Sequence, residues 1–156
     1  MTDYNETKKK LLDFLNNKEN EYMVLATTDN NKVYARTILI ANEGFDIYFF
    51  TWKYSRKYSH IEKNNHVSLC KDIVQIEGTA KILGLMNDKK NERFKKIIAD
   101  REPTSIELWK KKPNVEIIKI TINFAIVDGY YENEESFIEY LDIKKGEAYK
   151  AQWGNY

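Results

Sequence analysis

Two stretches of this chain alternate apolar and polar residues with a period of two, and that alternation restricts the fold more than any other feature. In "IVQIEGTAKIL", Val74, Ile76, Ala80 and Ile82 alternate with Gln75, Glu77, Thr79 and Lys81. In "VEIIKITINFAIV", Ile118, Ile120, Ile122, Phe124 and Ile126 fall on one face, with Lys119, Thr121 and Asn123 on the other. A helix would scatter these residues around its axis; a strand places each set on one face of a sheet. One wet face and one dry face is the pattern of antiparallel strands.

The rest of the chain reads around these two strands. Tyr4, Lys8, Leu11, Leu12 and Leu15 recur at helical spacing, predicting an N-terminal helix within about the first 20 residues. "EYMVLATT", "VYARTILIA" and "FDIYFFT" are strand-like and are separated by the turn sequences "DNNK" and "NEG", which suggests a three-stranded meander. "NDKKNERFKKIIAD" is amphipathic through Phe94, Ile97 and Ile98, with Asn87 or Asp88 as its N-cap. "TSIE", Thr104 to Glu107, has the spacing of a capping box for a short further helix. The acid-rich "YENEESFIEYLD" reads as a solvated final element, and residues 144–156 have no assigned structure. About six strands with peripheral helices and no βαβ alternation predict one mainly β domain over residues 1–156, a closed or nearly closed antiparallel barrel.

Composition limits the function. Lys and Arg number 25 and Asp and Glu 24, a formal charge of +1, so no global field draws the chain to nucleic acid or an anionic membrane. An anion site must be local. The single cysteine, Cys70, excludes an internal disulfide and reads as a buried small hydrophobe. His60 and His66 read as surface residues without a metal partner. A polar N-terminus and the absence of a long apolar run lead us to expect a cytoplasmic chain with no membrane segment.

The local candidate lies in "FFTWKYSRKYSHI", where a strand runs into aromatic residues interleaved with cations and then into a helix with Ser55 as N-cap and Tyr58 and Ile61 inward. Arg56 and Lys57 would then stand in the first turn, where the helix already presents positive partial charge and orphan N–H groups. Two readings fit: a phosphate site, or a solvated basic helix start beside acidic neighbours.

Over about Tyr22 to Val127 the chain also resembles the flavin-binding split-barrel family related to pyridoxamine 5′-phosphate oxidase, in its general stress protein 26-like branch. The resemblance rests on "MVLATTDNNKVYARTILI", "GFDIYFFTWKYSRKYSHIEKNNHVSL" and "VQIEGTAKI" taken in order. It implies a six-stranded antiparallel split barrel binding FMN, with deazaflavin or FAD as lesser alternatives, at the interface of a homodimer. By the same resemblance Arg36 and Lys57 contact the phosphate, supported by Ser55 and Arg56. The backbone of Thr37, Ile38 and Leu39 runs beside the isoalloxazine, Phe50 and Thr51 form another wall, and Gln75 and Trp109 reach the flavin.

The chain departs from the oxidase in lacking, after Val127, a segment that matches its vitamin site; Trp153 stands without the accompanying Arg and His. The expected function is therefore an FMN-dependent oxidoreductase acting on an unidentified small molecule, with a reduced nicotinamide as donor, in which the flavin carries the chemistry and no separate catalytic residue stands out. The alternatives are a flavin-binding or flavin-sequestering protein without turnover, and a barrel binding single-stranded nucleic acid through Trp52 to Tyr58.

Overall fold

The computed structural model describes residues 2–153. Helix α1 (Tyr4–Asn16) leads into β1 (Tyr22–Asp29), β2 (Lys32–Leu39), β3 (Ala41–Glu43) and β4 (Asp46–Trp52). Helix α2 (Arg56–Lys63), β5 (His66–Lys71) and β6 (Val74–Leu85) follow, then α3 (Glu92–Arg101), α4 (Pro103–Trp109), β7 (Val115–Glu132), β8 (Glu135–Asp142) and β9 (Glu147–Gln152). The fold is mainly β and antiparallel throughout, a split barrel with peripheral helices. Nine strands among the described residues replace the expected six, because β3 is a short edge piece and β8 and β9 form a hairpin beyond the barrel.

The 18-residue β7 organises the sheet. Its first half pairs with β4 and its second with β8, while β6 runs along its other edge. The strand order is β2-β1-β5-β6-β7-β4-β3, with β2 and β3 at opposite ends. These two ends are neighbours in sequence, joined through Ile40, whose N–H donates to Glu21 O at 2.7 Å. The hydrogen-bonded path thus ends beside where it began. This overturns the expected meander: β2 pairs with β1 alone, and β4 crosses over to β7.

Alternation fills the interior. Leu25, Ile47, Phe49, Leu69, Ile76, Ile118 and Ile120 are all buried in one core, closed by Leu11 and Leu15 of α1 and by Tyr58 and Ile61 of α2. A second cluster, with Tyr48, Met86, Ile98, Ile106 and Ile117, seats α3 and α4 on the outside of β4 and β7. Each fully buried leucine or isoleucine stabilises the fold by about 1.5–3 kcal/mol.

Several local expectations change. In β7 the core set does not continue to Phe124 and Ile126 but passes to Ala125 and Val127. Glu77 faces Phe124 while Gly78 faces Ile122, so Asn123 is an extra residue, a bulge that inverts the faces beyond it. The Asn123 amide donates to Thr79 Oγ1 at 2.9 Å. Thr104 caps nothing: Pro103 opens α4, and Glu102 is the N-cap, accepting from the Thr104 N–H. Asp88 caps a short 3₁₀ turn preceding α3 instead of α3 itself.

The acid-rich stretch is not solvated throughout, since Ile138, Glu139, Tyr140 and Leu141 are buried. Glu139 accepts from Thr7 Oγ1 and Lys10 Nζ, tying β8 to α1. Within the unassigned tail, Glu147–Gln152 is strand, β9, and residues 154–156 lie outside the described residues. Cys70 is exposed because its side chain falls on the outer face of β5, between the buried Leu69 and the half-buried Lys71.

Candidate functional site

Strand β2 is an edge of the sheet, so one side of its backbone carries N–H and C=O groups with no ladder partner. Against its C-terminal half lies a cleft of about 380 Å³, within the ~300–1,000 Å³ typical of small-ligand sites. Thr37, Ile38 and Leu39 line one side, and Phe50, Thr51 and Trp52 at the end of β4 line another. Ser55 and Lys57 enter from the start of α2, and Ser105 and Trp109 from α4. Trp109 is steadied by the Phe50 ring, the centroids 5.6 Å apart and tilted by 60°.

The turn into α2 is held from several directions. Ser55 Oγ accepts from the Tyr58 N–H at 3.3 Å, as an N-cap should, and shares a 2.9 Å hydrogen bond with the buried Thr51 Oγ1. Tyr58 Oη donates to Glu116 Oε2 at 2.7 Å, and burial together with this carboxylate pushes the phenol pKa well above its usual range. The helix start is therefore fixed in place, with the N–H groups of its first turn directed outward from the helix end.

Three cations surround this point. Lys57 is half-buried, and desolvation, then the nearby Arg36, lower its pKa. Burial, then the charge of Arg56, lower the Arg36 pKa. Arg56 lies over the Tyr34 ring, 4.3 Å from its centroid. Neighbouring lysines have carboxylates, Lys53 at 3.9 Å from Glu116 and Lys63 at 3.1 Å from Asp29, but among the described residues none of Arg36, Arg56 and Lys57 forms an ion pair. Mutual repulsion without compensation is unfavourable unless an anion is bound.

Arg36 is oriented from within the barrel. Its Nη1 donates to Leu25 O at 3.3 Å and to Thr27 Oγ1 at 2.6 Å, leaving the Nε and Nη2 donors available to a ligand. Thr27, accepting from Arg36, is free to donate to His60 Nδ1, 2.9 Å away. Burial, against the pull of Asp29, lowers the His60 pKa. Sequence reasoning placed His60 at the surface, yet it is 4% exposed, tilted against Tyr34 with centroids 4.7 Å apart. Local spacing did not signal it, because residue 60 lies about 200° around α2 from Tyr58; the ring of Tyr34 on β2 covers it.

Of the residues expected at the site, Thr37, Ile38, Leu39, Phe50, Thr51, Ser55, Lys57 and Trp109 meet at the cleft, with Arg36 and Arg56 beside it. Gln75 does not join them. It shares a cross-strand row with Thr37 through Val24 and Cys70, about 14 Å away at the usual strand spacing. That row lies on the outer face, where Tyr22, Val24 and Ile73 are 52%, 41% and 40% exposed. A larger groove of about 630 Å³ opens there too, but Glu77 and Asp142 line it along with Lys144, a poor lining for an anion.

Residues 7–125 match the family model described as pyridoxamine 5′-phosphate oxidase. No curated protein matches the chain. Among solved structures, General Stress Protein 26 from Bacillus anthracis str. Sterne superposes with a TM-score of 0.60 at 22% identity, covering 92% of this chain and 98% of its own. An FAD-binding protein from Mesorhizobium loti gives 0.59 at 14% identity, over 80% of this chain and 92% of that one. HutZ, the heme storage protein from Vibrio cholerae, gives 0.60 at 11% identity, over 81% and 92%. These three establish a shared fold, and the family match spans β1 to β6, the capped helix α2 and the cationic cleft alike: the chain belongs to the pyridoxamine 5′-phosphate oxidase family.

Proposed function

We propose that the cleft binds FMN and that the chain is a flavin-dependent oxidoreductase acting on a small molecule. The observation that carries this reading is the group of three cations, Arg36, Arg56 and Lys57, that form no ion pair among the described residues and stand around the N-terminus of a firmly capped helix. A phosphate would relieve their repulsion and meet helix N–H donors at once. Family membership and the FAD-binding neighbour support a flavin as the ligand.

Arg36 and Lys57 would hold the phosphate, with Ser55 and Arg56 beside them. The unpaired backbone edge of Thr37, Ile38 and Leu39 offers donors and acceptors to a heterocycle's rim, while Phe50, Thr51 and Trp109 offer walls. Bound flavin supplies the electron transfer, and the protein supplies binding, orientation and electrostatics.

The same reading includes a homodimer. Thr37 belongs both to the cleft and to the outer-face row that carries Val24, Cys70 and Gln75. A second copy docked on that partly apolar face would cover the cleft, and Gln75, too distant from the cleft of its own chain, would reach a flavin across the interface.

The experiment is an absorption spectrum before and after FMN is added and the excess removed by gel filtration. A flavin band eluting at dimer size supports the proposal. Failure to retain FMN, or selective retention of haem in its place, defeats it.

A further inference from the structure

A second cavity, of about 420 Å³, adjoins the cleft and shares Trp52 and Trp109 with it. Its other lining residues are Lys111, Lys112, Pro113 and Asn114. The floor is rigid, since Trp52 pairs with Val115 at the end of the β4–β7 ladder and the Lys53 N–H donates to Asn114 O at 2.8 Å.

Two features separate this notch from ordinary surface. The first is aromatic area left in water: Trp52 is 50% exposed, and Tyr54, edge-on to it with centroids 5.3 Å apart, is 66% exposed. The second is charge of one sign. Lys112 Nζ lies 5.5 Å from the Trp109 ring centroid. Lys110 pairs with Glu107, whose pKa is lowered first by that bond and also by Lys111, but among the described residues Lys111 and Lys112 form no ion pair. Flat apolar walls beside two ammonium groups that form no ion pair match a flat ligand carrying a negative charge.

We propose that the notch is a binding site for a planar aromatic anion of one or two rings, a carboxylate or sulfonate, whose ring lies against Trp52 and Trp109 and whose acid group faces Lys111 and Lys112. Where the flavin reading of the neighbouring cleft also holds, the two sites share a wall, and this ligand class is the oxidoreductase's second substrate. A single-stranded nucleic acid fits less well: it needs a track of cations along a backbone, whereas the notch is one compact cavity in a chain of net charge +1.

The test titrates 2-naphthoate into the full chain, with and without FMN, following tryptophan fluorescence, beside its neutral counterpart 2-naphthamide and a thymidine oligonucleotide. Naphthoate is expected to bind about tenfold or more tightly than the amide, a difference of about 1.4 kcal/mol or more. The Lys111→Gln/Lys112→Gln variant should erase that preference while leaving FMN affinity unchanged. Equal binding of acid and amide, unaltered naphthoate binding by the double variant, or displacement of naphthoate by the oligonucleotide would each overturn the proposal. FMN affinity is read in the same preparations. Protein that retains FMN but shows no charge preference removes the notch alone, and protein that shows the preference without retaining FMN keeps the notch and removes the flavin reading.

Discussion

Arg36 donates to Thr27 Oγ1 at 2.6 Å, from a neighbouring strand and toward the inside of the barrel. Thr27 is 1% exposed, and its hydroxyl also meets His60 Nδ1 at 2.9 Å. One buried hydroxyl therefore orients both a guanidinium of the candidate phosphate site and the histidine beneath it. Thr27→Val keeps the shape and removes both bonds. We expect a stability loss of about 1–3 kcal/mol, read by urea denaturation, and about a tenfold weaker FMN affinity, read by flavin fluorescence titration. Unchanged affinity in a folded variant would show that Arg36 does not need this support.

Lys57 should separate stability from binding. Its charge is partly desolvated and faces Arg36, with no ion pair among the described residues. Lys57→Met removes that repulsion and retains the aliphatic stem. The expected outcome is a thermal midpoint equal to or above that of the wild type, together with FMN affinity lowered by about tenfold or more, the loss of one charge-assisted contact. A lower midpoint with intact affinity would make Lys57 a structural residue.

His60 gives a pH dependence with a definite sign. Burial places its pKa below the ordinary 6.5, so the unfolded chain binds the proton more readily than the folded one. The stability owed to the neutral ring is fully present above that value and is lost as pH falls toward the folded pKa. Asp29 opposes the shift, while Arg36, Arg56 and Lys63 add to it. His60→Asn retains an acceptor for Thr27 but does not titrate. Between about pH 8 and about pH 5, the wild type should lose more stability than this variant, by denaturant titration at each pH. Parallel slopes would show that His60 does not titrate differently on folding.

Gly78 marks the point where β6 meets the bulge of β7. A Cβ there would lie 2.6 Å from Ile120 Cγ2 and 2.9 Å from Thr121 O, and the second contact is backbone that cannot rotate away. Gly78→Ala should cost about 1–3 kcal/mol, measured as a lower urea midpoint at unchanged m-value. A neutral result would mean that the bulge is free to shift.

Much of this molecule was written in local sequence. Period-2 alternation marked β6 and the first part of β7, and the Leu11 and Leu15 spacing marked α1. "DNNK" announced the β1–β2 hairpin, in which Asn30 and Asn31 both adopt positive φ. Ser55 was legible as the cap of α2, because capping is decided within a few residues. The site was legible as a set of residue types, since cations at a helix start are locally unfavourable.

The remainder depended on partners distant in the chain. That β4 leaves β2 for β7, that Asn123 is an extra residue relative to β6, and that His60 is covered by Tyr34 and bound by Thr27 follow from strand order and register, which no short window specifies. The same register carried Cys70 and Gln75 to the outer face. The sequence by itself determined which elements form and which residues could hold an anion. Only the tertiary structure decided that Arg36, Arg56 and Lys57 stand together with no ion pair among the described residues, because charge compensation depends on distances across strands that the chain reaches only by folding.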